Sequence, residues 1–223
     1  MKSICNDPGI ICFKHCKSKI FSSALLSKCP ECQMTLNSND QFALIPFRLP
    51  YPFVKPHQYP CSIILRPTHG DFLNDYINAM NLHIAVTMSD CAIIEFDHNG
   101  LKKTTKHQMT SQSHWIQSLV VETIPEPWYD HWDNVLNDMN AIKHTKWTSN
   151  AYNEDTFNCY SFVLEFLRRL NYGTLSAAAK NRTTFCEHYI IPRTTAAGKY
   201  ISLYRKIRDH GFYIHSSSLA IRE

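Results

Sequence analysis

The spacing of apolar positions along the chain switches repeatedly between a two-residue and a helical period. Cys61-Ser62-Ile63-Ile64-Leu65-Arg66 predicts a strand, stopped by Pro67-Thr68-His69-Gly70. Phe72, Leu73, Tyr76, Ile77 and Met80 recur at helical spacing and predict a short helix. From Leu82 to Met88 the period is two: Leu82, Ile84, Val86 and Met88 share one face, and His83, Ala85 and Thr87 the other. Ser89-Asp90 makes a turn and Cys91 to Asp97 the return strand of a hairpin, closed by His98-Asn99-Gly100. Residues 102 to 114 are polar and predict a loop, and Ile116 to Ile124 a further strand. After the break at Pro125-Glu126-Pro127, residues Trp128, Trp132, Val135, Leu136 and Met139 form a helical stripe. Cys159, Phe162, Val163, Phe166, Leu167 and Leu170 form a second, with Gly173 just past its end. Tyr200, Ile201, Leu203, Tyr204 and Ile207 form a third. Together these elements predict an α+β domain: a small antiparallel sheet with helices packed against one face.

Upstream of residue 61 the pattern changes. Residues 1–40 hold five cysteines of the chain's nine: Cys5, Cys12, Cys16, Cys29 and Cys32. Residues 41–60 are proline-rich, with five prolines from Pro46 to Pro60, and predict an extended connector. The expected division is a cysteine-rich knuckle over 1–40, the connector over 41–60 and the α+β domain over 61–223.

Composition narrows the function. With 223 residues, 44% hydrophobic and 19% charged, the chain can bury a core without disulfides, and a disordered or collagen-like chain is excluded. A net charge of +4 without a dense basic stripe gives no strong nucleic-acid signal. Six scattered glycines form no phosphate-cradling loop. No apolar run is long enough for a transmembrane segment, and the N-terminus lacks the apolar core of a signal peptide. The expected location is cytoplasmic or nuclear, not secreted. The cysteines then read as thiols, metal ligands or a nucleophile.

Two sets of residues can carry chemistry. Cys29-Pro30-Glu31-Cys32 places two sulfurs two residues apart, a spacing that lets both face one tetrahedral zinc ion, and Cys16 supplies a third. The fourth ligand is Cys12 or His15. Such a site is structural, because four protein ligands leave no position open for substrate. The second set is Asn158-Cys159, where a polar loop meets an amphipathic helix. Asn158 is a good cap, and the first turn of a helix favours a thiolate. Its N–H groups suit an oxyanion. His83, alone among aliphatic residues in its strand, is the candidate base. Glu95 on the facing strand is its candidate partner, with Asp97 the alternate. Cys159 also lies on the apolar stripe of its helix, which fits a buried core thiol equally well.

Several stretches are distinctive: Cys61-Ser62-Ile63-Ile64-Leu65-Arg66-Pro67-Thr68, Asn158-Cys159-Tyr160-Ser161, Tyr189-Ile190-Ile191-Pro192-Arg193-Thr194 and Lys199-Tyr200-Ile201-Ser202-Leu203-Tyr204-Arg205. Together with Cys29-Pro30-Glu31-Cys32 they resemble the makorin-2 opposite-strand protein family over nearly the whole chain. That family name records a genomic position and implies no activity. At the site itself, a histidine in a hairpin strand followed later by Asn158-Cys159 opening a helix is similar to the permuted papain-like families, the lecithin-retinol acyltransferase-like proteins and desumoylating isopeptidases. This similarity implies a permuted papain-like fold, with Cys159 as nucleophile and His83 as base. The acyltransferase branch often has a second histidine near the position of Glu95, whereas the isopeptidase branch works with a dyad. The chain ends in Ser216-Ser217-Ser218-Leu219-Ala220-Ile221-Arg222-Glu223, without the apolar tail common in the acyltransferases. The expected function is thus thiol-based hydrolysis or acyl transfer on an amide or ester of a protein or peptide partner. The alternative is a non-catalytic, zinc-stabilised interaction module of the same fold.

Overall fold

The structure is a computed structural model and describes residues 7–37, 42–78, 80–108 and 114–215. Cys5 and the C-terminal stretch from Ser216 lie outside the described residues. In chain order the elements are β1 (Ile11–Lys14), β2 (Lys19–Ser22), β3 (Leu44–Arg48), β4 (Ser62–Pro67), β5 (Leu82–Thr87), β6 (Ile93–Asp97), β7 (Gly100–Thr104), β8 (Leu119–Thr123), α1 (Tyr129–Ala141), α2 (Cys159–Leu170), α3 (Gly173–Ala178), α4 (Arg182–Phe185), α5 (Ile191–His210) and β9 (Phe212–His215). The class is α+β with two antiparallel sheets. None of the described helices is long and apolar enough to cross a membrane.

The chain divides into two compact units, one of Met1–Pro52 with Gly198–Glu223 and one of Phe53–Ala197. These boundaries differ from those the sequence suggests. The first unit is built on a sheet in the order β3-β1-β2-β9. Part of the proline-rich connector is therefore a strand. Pro46 sits in β3 at the sheet edge, where a missing N–H breaks no ladder. At the other edge β9 pairs Ile214 with Ile20, so the C-terminal segment returns to the cysteine-rich unit. The core here is small: Phe13, Ile20, Cys29 and Leu36, flanked by Ile11, Cys16 and Ile214.

The second unit holds a five-stranded sheet in the order β7-β6-β5-β4-β8. β5 is central, and both its faces are buried from His83 through Thr87. Strand β7 occupies part of the stretch read as a loop. Its Lys102 and Lys103 hide the period, yet lysines suit an edge strand because they discourage pairing with another chain. Helix α2 packs on β5 and β6, and α1 on α2. The six residues of the α2 sequence stripe are buried, as are Tyr160 and Leu164 beside it, and complete burial of one aliphatic or Phe side chain contributes about 1.5–3 kcal/mol. Trp132 is fully buried against Phe166 (centroids 4.6 Å apart) and donates its Nε1–H to Thr87 O at 2.8 Å.

The helix expected over Phe72 to Met80 does not form; the described residues there are turns. The side chains around it compete for the backbone. Asn74 N–H donates to Asp71 Oδ1 (2.8 Å), Asp71 N–H to Asp75 Oδ2 (2.9 Å) and Phe72 N–H to Gln117 Oε1 (2.9 Å). Phe72, Leu73 and Tyr76 are still buried, while Ile77 is exposed.

Candidate functional site

Strand register brings the first residues together. β4 pairs Arg66 with His83, and β6 pairs Ile93 with Thr87. By the two-residue period, Arg66, His83, Glu95 and Asp97 share one face of the sheet. His83 Nε2 lies 2.9 Å from Glu95 Oε2, and both side chains are nearly buried. Asp97 is engaged elsewhere, accepting from Lys102 Nζ at 2.9 Å and from Asn99 N–H at 2.7 Å. Two further residues hold Glu95. Trp115 Nε1–H donates to the same Oε2 at 3.2 Å, and Arg66 Nη2 stands 3.9 Å away with its guanidinium over the Trp115 ring. Burial alone would raise the Glu95 carboxyl, but the His83 contact, Arg66 and Trp115 hold it below its ordinary range.

Cys159 reaches this group from helix α2. Asn158 caps the helix: its Oδ1 accepts Tyr160 N–H at 3.0 Å and Ser161 N–H at 3.4 Å, and Ser161 Oγ accepts Asn158 N–H at 3.1 Å. The box accounts for three of the four amides a helix start leaves over, and the Cys159 N–H is the fourth. The box thus leaves the Cys159 N–H as the helix-start amide it does not engage. β5 and β6 are in register only at Val86–Ile94 and Thr87–Ile93. Towards its start β5 is free of β6, and the Ile84 N–H supports the Cys159 sulfur instead.

The thiol and the imidazole shift each other. Burial works against a charged sulfur, but the hydrogen bond and charge of His83, with the Ile84 and Tyr160 amides, bring the Cys159 thiol below its ordinary value. Burial likewise works against a charged imidazole. The hydrogen bonds to Cys159 and Glu95, together with the Cys159 charge, outweigh it and push His83 up to about 9. With Nε2 on Glu95, the other ring nitrogen, Nδ1, is left for the sulfur. The arrangement favours a thiolate–imidazolium pair, and it opens on a cleft of about 630 Å³. Cys159 is only 6% exposed and lines that cleft. The walls include Thr68, His69, Asn81, Tyr152, Asp155 and Arg182.

Arg66 and Trp115 are the site residues that sequence reasoning missed. Arg66 carries a usable signal, a charge closing an aliphatic strand, much as His83 does. Trp115 borders a polar stretch and reads as core; nothing local ties it to Glu95.

A second cluster lies in the first unit. One ligand atom each from His15, Cys16, Cys29 and Cys32 falls within 4.8 Å of the others, an arrangement that can hold a metal ion. His15 Nδ1 is 3.2 Å from Cys16 Sγ and 3.4 Å from Cys32 Sγ, and Cys16 Sγ is 3.8 Å from Cys29 Sγ. Of the two residues competing for the fourth place, His15 is in the cluster. Cys12 is not: it is buried in β1, paired with Phe21 and Phe47 on the neighbouring strands. The reason is strand geometry, since β1 carries Cys12 within the sheet while His15 lies just past its end.

With fold and site in place, comparison with known proteins identifies the class: the chain belongs to the DUF4796 family, whose C-terminal model matches residues 46–207 and whose N-terminal model matches residues 8–36. A relative is the human MKRN2 opposite strand protein, 31% identical over 218 residues, covering 94% of this chain and 92% of the relative. No solved structure matches.

Proposed function

We propose that the protein is a thiol hydrolase or acyl-transfer enzyme in which Cys159 is the nucleophile, His83 the general base and acid, and Glu95 the group that orients His83. The observation that carries this reading is the 2.9 Å His83–Glu95 contact beside a depressed thiol at the wall of a cleft. The Cys159 thiolate attacks a carbonyl carbon, forming a C–S bond as the carbonyl electrons move to oxygen. The tetrahedral species collapses, and His83 gives its proton to the departing amine or alcohol. Water then attacks the thioester, with His83 taking its proton, and the thiolate leaves.

The permuted papain-like arrangement is supported by a histidine on the central strand of an antiparallel sheet and a cysteine opening a later helix that packs on it. The cleft is walled by Thr68, His69, Asn81, Asp155 and Arg182, which favours a protein or peptide amide over a lipid ester. We assign the His15, Cys16, Cys29 and Cys32 cluster to structural zinc. A tetrahedral ion with bonds of about 2.3 Å to sulfur sets its sulfurs about 3.8 Å apart. The Cys16–Cys29 separation is 3.8 Å. Zinc there stabilises a unit whose apolar core is small. Eight free cysteines among the described residues suit a reducing compartment, cytoplasm or nucleus.

The test is alkylation of Cys159 by iodoacetamide across pH 4 to 10, read by mass spectrometry. The expected thiol titrates below the ordinary cysteine range, and His83→Ala returns it there. A thiol that behaves as free cysteine, indifferent to His83→Ala, rejects the enzyme and leaves the zinc-stabilised interaction module.

A further inference from the structure

Acyl transfer needs donors for the oxygen that becomes negative, and the helix start supplies one amide, because the Asn158 box occupies the rest. The cleft walls therefore have to provide a second. Thr68 Oγ1 already donates to Asn81 O at 2.9 Å, and Asn158 Nδ2 to Glu154 O at 2.5 Å. The Arg182 guanidinium lies over the Tyr160 ring, 4.6 Å from its centroid. Tyr152 differs. It lines the same cleft as Cys159, and its hydroxyl has no hydrogen-bond partner among the described residues. Its position is nonetheless well defined. The ring packs edge-on against Phe96 with centroids 5.2 Å apart, and its N–H donates to Ser149 O at 3.2 Å in a turn capped by Thr148.

Building on the acyl-transfer reading, we infer that the Tyr152 hydroxyl is a catalytic residue: with the Cys159 N–H it forms the oxyanion site of this cleft. Burial first, and then the nearby Cys159 charge, push the phenol up to about 12. It therefore keeps its proton at every working pH and acts as a donor only. As the thiolate adds to the carbonyl, the oxygen gains the electron pair and the Tyr152 O–H turns to it. When the species collapses the pair returns to the carbonyl, and no proton leaves Tyr152.

The experiment compares two reactions of Cys159 in the full-length protein and in Tyr152→Phe, which keeps the ring. Alkylation by iodoacetamide displaces iodide and forms no oxyanion. Acylation by p-nitrophenyl acetate passes through one. Tyr152→Phe is expected to lose about 10²- to 10³-fold in acylation, the cost of removing one oxyanion donor, with alkylation unchanged. Unchanged alkylation also shows that the variant is folded around its site. If wild type acylates and Tyr152→Phe acylates equally fast, the hydroxyl has no such role and the acyl-transfer reading stands. If wild type alkylates as an ordinary thiol and never acylates, both readings fall.

Discussion

Replacing Glu95 with Gln tests the support that its carboxylate gives His83. The substitution keeps the side-chain length and leaves an oxygen that can accept from Trp115 Nε1–H, but removes the negative charge that faces His83 Nε2. His83 stands at about 9 against an ordinary 6.5. That difference corresponds to roughly 3 kcal/mol at 1.36 kcal/mol per unit, the net of the Cys159 and Glu95 contacts against burial and the Arg66 charge. Loss of the Glu95 share should lower the imidazole by on the order of one unit, and the paired thiol should rise. Because alkylation follows the thiolate fraction, its rate at a pH below the thiol's midpoint should fall about tenfold for each unit by which the thiol rises. The stability change has a definite sign. A raised histidine contributes in full below pH 6.5, and the contribution disappears as pH climbs through about 9. Glu95→Gln should therefore cost most near pH 6 in urea unfolding and less above pH 9, where only the loss of the Glu95 charge beside Arg66 remains. An unmoved thiol titration, or a deficit that grows above pH 9, would refute the reasoning.

Three further outcomes are expected. Purified reduced protein should carry one equivalent of zinc by metal analysis, and Cys29→Ser should lose it and unfold the first unit at a lower temperature; full folding with no metal would sink the assignment. Asn158→Ala removes a buried cap that serves two amides and should cost about 1–2 kcal/mol in denaturant unfolding. Gly100 has φ +88°, and an added Cβ would stand 3.1 Å from both Ser149 N and Trp147 O. Gly100→Ala should accordingly lower the thermal midpoint, whereas an unchanged midpoint would show that the Trp147–Ser149 segment yields.

Much of this protein is written in local pattern. The α2 stripe from Cys159 to Leu170, its Asn158 cap and the alternation through β5 follow from side-chain period and cap chemistry, which need only near neighbours. The same holds for Cys29 and Cys32, whose short spacing limits what they can do together. Other elements resisted for equally physical reasons. β7 shows no alternation because an edge strand has one neighbour and tolerates lysine on both positions. The Phe72 to Met80 segment has a helical period, but the Asp71 and Asp75 carboxylates bond the backbone into turns that a period cannot reveal.

Long-range pairing settled the rest. His15 rather than Cys12 joins Cys16, Cys29 and Cys32 because β1 ends between them and fixes which side chain leaves the sheet. Glu95 rather than Asp97 meets His83 although both share its face, and Asp97 is paired with Lys102 on the next strand. Arg66 joins Glu95 through strand register, Trp115 reaches it from the turn before β8, and Tyr152 and Cys159 line one cleft. Identity and spacing along a chain determine which groups are present and how each short segment curls. Which of those groups touch depends on sheet order and register, and these arise from burying many side chains at once.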